Sequence, residues 1–100
     1  RIFDRSTGAV LGYIIDLSSE GAMLVSEEPF VVHKLYRLRM DVPEEFEIKA
    51  CLDFEAVCVW SRTDAADPRF YESGLHLESV PGEDVAMIER IIQEYGFRDN

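Results

Sequence analysis

From Tyr36 to Val42 the chain alternates strictly: Tyr36, Leu38, Met40 and Val42 are apolar, and Arg37, Arg39 and Asp41 between them are charged. Successive side chains of a strand point to opposite faces, so this period of two predicts a strand with one face in a core and the other in water. A longer run from Ile48 to Arg62 has the same form. Leu52, Phe54, Ala56, Cys58 and Trp60 fall on one side and Asp53, Glu55, Val57, Val59 and Ser61 on the other. A strand of that length is expected to bend or bulge. Arg1 to Arg5 reads as a short strand that turns at Ser6-Thr7-Gly8-Ala9 into Val10 to Asp16, making a hairpin. The second strand is apolar on both faces, which predicts cover on both sides. Ala22 to Val25 and Phe70 to Glu78 are the remaining strands, and Phe30 to Lys34 is a loop or a short strand. After Pro81-Gly82-Glu83-Asp84 the period changes. Val85, Ile88, Ile92 and Tyr95 recur at helical spacing, Pro suits a first turn, acids suit its positive end, and Gly96 is a stop. About six antiparallel strands and one terminal helix fit a small closed barrel in a single domain, residues 1–100.

Between the second and third strands lies Asp16-Leu17-Ser18-Ser19-Glu20-Gly21, a D-x-S-x-x-G run. Two readings are open. As structure, Asp and Ser bond amides across a reversal, and Gly21 takes a positive φ or lets another group come close. As chemistry, the Asp16 carboxylate can accept the two parallel donors on the Watson–Crick edge of a guanine, and Ser18 can add a bond to a base or a phosphate. Gly21 leaves room for a purine.

Composition narrows the class. With 47% hydrophobic and 11% aromatic residues the chain is a folded domain rather than a disordered one. No apolar run reaches the roughly 20 residues of a membrane helix, and Arg1-Ile2-Phe3-Asp4 does not open a signal peptide, so no membrane insertion and a cytoplasmic location are expected. The missing initiator Met suggests a chain that begins inside a longer protein. Twenty acidic against ten basic residues give a formal charge of −10, which disfavours nucleic acid and anionic lipid. A small dianion is less affected, because salt screens exposed charges beyond about 8 Å and nearby arginines decide the contact. Cys51 and Cys58 point to opposite faces of a regular strand and read as reduced packing residues. His33 and His76 are the only histidines, with His76 on an outward face beside Glu72, Gly74 and Glu78. No nucleophile elbow, P-loop or H-E-x-x-H is present, and Glu44, Glu45 and Glu47 form a solvated turn, so no enzyme, metal or cofactor is expected.

The segment Tyr13 to Leu24 around D-x-S-x-x-G resembles the signature of the PilZ domain, the bacterial receptor module for cyclic di-GMP. The strand with Arg37 and Arg39, the strand ending in Val57-Cys58-Val59-Trp60, the Ser73-Gly74-Leu75-His76-Leu77 strand and the closing helix follow the same order. The resemblance covers nearly the whole chain. It implies a six-stranded antiparallel β-barrel with one C-terminal helix, cyclic di-GMP as ligand, and a protein effector of motility, pilus or exopolysaccharide systems as partner. Asp16, Ser18 and Gly21 then become ligand residues. Trp60 becomes either a stacking platform for guanine or a core residue packed with the Phe54 face. Arg62, on the face of Trp60, becomes a phosphate or guanine contact.

In such domains an R-x-x-x-R motif upstream supplies arginines to the ligand. Arg1-Ile2-Phe3-Asp4-Arg5 matches it by letter, which makes Arg5 a candidate, yet only ten residues separate Arg5 from Asp16. The first hairpin needs all of them, so Arg1 and Arg5 are also readable as strand residues, with the true motif upstream or never present. Each arginine fork on a guanine is worth about 1–3 kcal/mol, so two lost forks would weaken binding on the order of a hundredfold or more. The alternative function is a ligand-independent PilZ-like interaction domain working through the Arg37 and Arg39 face or the exposed side of the helix.

Overall fold

The computed structural model describes residues 1–42 and 51–94. The acidic turn around Glu44 to Glu47, the start of the long strand at Ile48 and the helix end at Tyr95 and Gly96 lie outside them. The elements are β1 (Ile2–Asp4), β2 (Val10–Leu17), β3 (Gly21–Ser26), β4 (Leu35–Asp41), β5 (Cys51–Thr63), β6 (Tyr71–Ser79) and α1 (Gly82–Glu94). They form a closed barrel in the order β1-β2-β3-β6-β5-β4, every neighbouring pair antiparallel. Short β1 closes it by pairing with the start of β2 on one side and with Leu38 to Met40 of β4 on the other.

Alternation builds the core. Leu38 and Met40 on β4, Leu52, Phe54, Ala56 and Cys58 on β5, and Leu24 on β3 are buried inside, while Arg37 and Arg39 stand outside. Phe30, in the loop from Glu27 to Lys34, is also buried and packs against Tyr36 in a tilted arrangement, ring centres 4.8 Å apart. The loop is held to the barrel by the His33 amide, which donates to the Cys58 carbonyl at 2.7 Å. His33 there has a φ of 74°, a left-handed conformation that histidine adopts more readily than most residues.

Antiparallel pairing puts the Ser18–Glu20 turn, the start of β5 and the end of β6 at one end of the barrel. Helix α1 starts there, directly after β6. Its buried positions Asp84, Met87, Ile88, Ile91 and Ile92 recur at i, i+3, i+4, i+7 and i+8, and the four apolar ones join the barrel core. The buried stripe therefore runs through Met87 and Ile91 as well as Ile88 and Ile92. Val85 lies on its shoulder and is 44% exposed. No helix among the described residues is long and apolar enough to cross a membrane.

Two readings of the pattern change. The outer face of β2 is uncovered among the described residues: Tyr13 is 53% and Ile15 42% exposed, because the sheet curls to enclose one core. Trp60 leaves the side of Phe54 and Cys58. The register of β5 against β6 shifts between Cys58 and Trp60, from the pair Cys58–Leu75 to the pair Trp60–Gly74. Val59 is the extra residue of a β-bulge, and everything after it changes face.

Candidate functional site

The strand pairs define a grid on the outer surface of β2, β3, β6 and β5, since residues opposite one another in a ladder share a face. In one row Asp16 pairs with Met23, Met23 with Gly74, and Gly74 with Trp60. On one side of it run Tyr13, Val25, Glu72 and Arg62. On the other side Gly21 pairs with His76, His76 with Val57, and Val57 with Leu35. Asp16 and Trp60 thus stand at the two ends of a row three strand spacings wide, about 14 Å from backbone to backbone.

Asp16 reaches this face by the same device as Trp60. The register of β2 against β3 shifts between Ile14 and Asp16, which makes Ile15 the extra residue. Strict alternation from Tyr13 would turn Asp16 inward. After the bulge Asp16 points out and Leu17 points in, paired with buried Ala22. The Leu17 amide donates to Asp16 Oδ1 at 3.0 Å, which fixes the carboxylate against its own strand end.

The turn itself is held by Ser18. Its amide donates to the Gly21 carbonyl at 2.8 Å, and its hydroxyl oxygen accepts from the amides of Glu20 at 3.3 Å and Gly21 at 3.2 Å. In this structure the hydroxyl therefore serves the turn. Gly21 has no positive φ; a Cβ there would lie 2.2 Å from the Leu75 carbonyl oxygen of β6. Its glycine is set by close approach of a neighbouring strand.

Trp60 is half-buried and overlies Gly74, where an added Cβ would meet the indole Nε1 at 2.2 Å. The Arg62 guanidinium lies 4.8 Å from the centre of the Trp60 ring and donates to Glu72 at 3.1 Å. Asp16, Ser18, Gly21, Trp60 and Arg62 are thus brought onto one outer face. Met23 lies between Asp16 and the indole, and Gly74 is buried beneath the indole; neither was singled out in the sequence. A glycine in mid-strand signals close approach of another group, and Gly74 was legible on that ground.

Arg5 belongs to a different face, over β1, β4 and β5. Its amide donates to the Arg37 carbonyl, and its guanidinium lies 3.9 Å from both Asp53 and Glu55. Among the described residues its buried Nε has no hydrogen-bond partner. Around it Arg37 pairs with Glu55 at 3.3 Å, Arg39 forks onto Asp53 at 2.8 and 3.2 Å, and Arg1 pairs with Asp41 at 2.8 Å. The Asp53 carboxylate raises the already high pKa of Arg39 through these bonds. Each of these arginines thus faces a carboxylate.

The PilZ domain family model matches residues 3–94, which includes every described element but the first residue of β1. The chain belongs to the PilZ family. PilZ domains in general are receptor modules for cyclic di-GMP, binding and regulatory rather than catalytic. Comparison with curated proteins and with solved structures finds no match. In this PilZ domain the D-x-S-x-x-G turn lies beside the row from Asp16 to Trp60, on the outside of the barrel. Among the described residues no group of His, Cys, Asp and Glu is arranged to hold a metal ion.

Proposed function

We propose that this PilZ domain receives cyclic di-GMP on the outer face of β2, β3, β6 and β5 and relays its presence to a protein effector. The observation that carries the reading is the row Asp16–Met23–Gly74–Trp60. It puts a carboxylate, which pairs with the N1 and N2 donors of guanine, at one end and an indole, which stacks on a purine, at the other. Arg62 beside the indole offers a cation to a phosphate once Glu72 releases it. Ligand bound across four strands would change the surface that an effector meets, which is how a rigid barrel can report occupancy. Motility, pilus and exopolysaccharide systems are the effector classes that the family suggests.

A second reading is favoured by one observation. Arg1, Arg5, Arg37, Arg39, Arg62 and Arg69 each have an acidic partner. A PilZ domain whose arginines are so committed can serve as a ligand-independent interaction module. Calorimetric titration of cyclic di-GMP separates the two. It is run on this chain and on a form with an R-x-x-x-R segment added ahead of Arg1, with Asp16→Ala made in each. Binding by either form that Asp16→Ala abolishes supports reception. Silence from both forms, folded by circular dichroism, overturns it and leaves the interaction module.

A further inference from the structure

We infer that His76 is an additional contact for the anionic ligand of this face, one that tightens binding as the solution becomes more acid. The inference rests on the receptor reading above and names a residue and a regulation for the same site. His76 is exposed and stands directly opposite Gly21 on one side and Val57 on the other. It shares the outer face of β6 with Gly74, the residue under Trp60. Gly21, directly opposite, carries no side chain and leads into the Ser18–Glu20 turn. A ligand lying from Asp16 to Trp60 passes over Met23 to the indole that covers Gly74, and His76 lies in the neighbouring row, on the side of the turn.

Charge gives the residue its purpose. On its own strand His76 is flanked by Glu72 and Glu78, the turn contributes Glu20, β2 contributes Asp16, and β5 contributes Glu55 and Arg62. Of the cations nearest this grid, Arg62 is engaged by Glu72 and Arg37 by Glu55. Among the described residues the His76 side chain has no such partner. A bis-phosphate dianion coming to a chain of formal charge −10 meets an excess of carboxylates, and a local cation beside the row offsets it. Imidazole is the side chain whose ordinary charge change falls between pH 5 and 8, and its protonated form donates from both ring nitrogens.

The test is calorimetric titration of cyclic di-GMP into the whole chain at about pH 8 and about pH 5.5 at fixed ionic strength. The variants are His76→Gln, His76→Lys, His33→Gln and Asp16→Ala. His33, the chain's other histidine, lies in the loop beside β5 and serves as the control. Expected is binding by the unaltered chain about fivefold tighter at the lower pH, the size of one exposed ionic contact. His76→Gln should bind equally weakly at both pH values, His76→Lys tightly at both, and His33→Gln should keep the pH slope. A slope that survives in His76→Gln, or that disappears in His33→Gln, overturns the inference. If Asp16→Ala abolishes binding while His76 variants change nothing, reception stands and only the role of His76 fails. No binding by the folded, unaltered chain at either pH overturns the role of His76; silence from the form extended with R-x-x-x-R as well removes reception too.

Discussion

Two glycines on this face invite alanine substitution, and the structure assigns them opposite consequences. At Gly21 and at Gly74 an added Cβ would come 2.2 Å from its nearest atom. At Gly21 that atom is the Leu75 carbonyl oxygen, part of the β6 backbone; at Gly74 it is the indole Nε1 of Trp60, the end of a movable side chain. Ordinary carbon–oxygen contact needs more than an ångström of extra space, so Gly21→Ala must push β3 and β6 apart where they pair. The local ladder and the bond from the Leu77 amide to the Glu20 carbonyl, 2.8 Å long, are strained or lost. Two backbone hydrogen bonds at about 1 kcal/mol each and the residual strain, less about 0.5–1 kcal/mol from the smaller unfolded-state entropy of Ala, give a net loss of about 2–3 kcal/mol. For Gly74→Ala the indole swings aside. The loss is the stacking of Arg62 on Trp60 and some packing, about 1 kcal/mol, largely offset by the gain of replacing glycine in a strand. Urea unfolding followed by far-ultraviolet circular dichroism measures both, and the single tryptophan adds a second signal. Gly74→Ala should unfold within about 1 kcal/mol of the unaltered chain with its emission shifted to the red. A Gly21→Ala midpoint equal to that of the unaltered chain, or a Gly74→Ala loss as large as that of Gly21→Ala, would refute the reasoning.

Ser73 is fully buried, and its hydroxyl is 2.9 Å from that of Ser61. Ser61→Ala should therefore cost about 1–3 kcal/mol by stranding the Ser73 hydroxyl, and adding Ser73→Ala should recover part of the loss, read from urea midpoints. Burial pushes the Cys58 thiol up from its usual pKa, whereas Cys51 lies half-exposed on the opposite face. A maleimide followed by mass spectrometry should label Cys51 in the folded chain and Cys58 only on unfolding; equal rates would contradict the assigned faces. Arg69 forks onto Asp67 and lowers its carboxyl pKa below the usual range. Such a group stabilises the fold above the ordinary carboxylate pKa of about 4 and loses that contribution as pH falls through its lowered folded value. The stability difference between the unaltered chain and Arg69→Ala should be present near neutrality and shrink toward zero in acid. A difference that grows in acid would refute this.

Much of the barrel is legible in the alternation itself. Leu38 and Met40 against Arg37 and Arg39, and Leu52 through Cys58 against Asp53 and Glu55, sort inside from outside by period alone. The D-x-S-x-x-G run marks a turn because Ser and Gly satisfy its backbone, and the structure adds which neighbour demands the glycine. Alternation fails at Ile15 and Val59, where one strand carries a residue that its partner does not match. No local signal marks either position, since both are ordinary β-branched strand residues; the length of the β5 run predicts a bulge but not where it falls. Exposure of Tyr13 and Ile15 was hidden for a related reason: an apolar outer face and a doubly covered strand have the same composition. The helix stripe through Met87 and Ile91 is equally compatible with the pattern that includes Val85, and only the position of the barrel mouth chooses between them. His76 looked like any surface histidine until its opposite number proved to be Gly21.

The two bulges also affect how chains of this kind should be compared. Each acts as a change of phase. Removing Ile15 or Val59 would leave a strand of nearly the same length but turn Asp16 or Trp60 toward the interior, so gain or loss of one codon toggles membership of this outer face. An alignment without gaps across either position sets outward residues against inward ones. An invariant aspartate or tryptophan in the column then guarantees nothing about where its side chain points. Counting residues between Tyr13 and Asp16, and between Cys58 and Trp60, says more about whether a relative retains this face than the identity of either terminal residue.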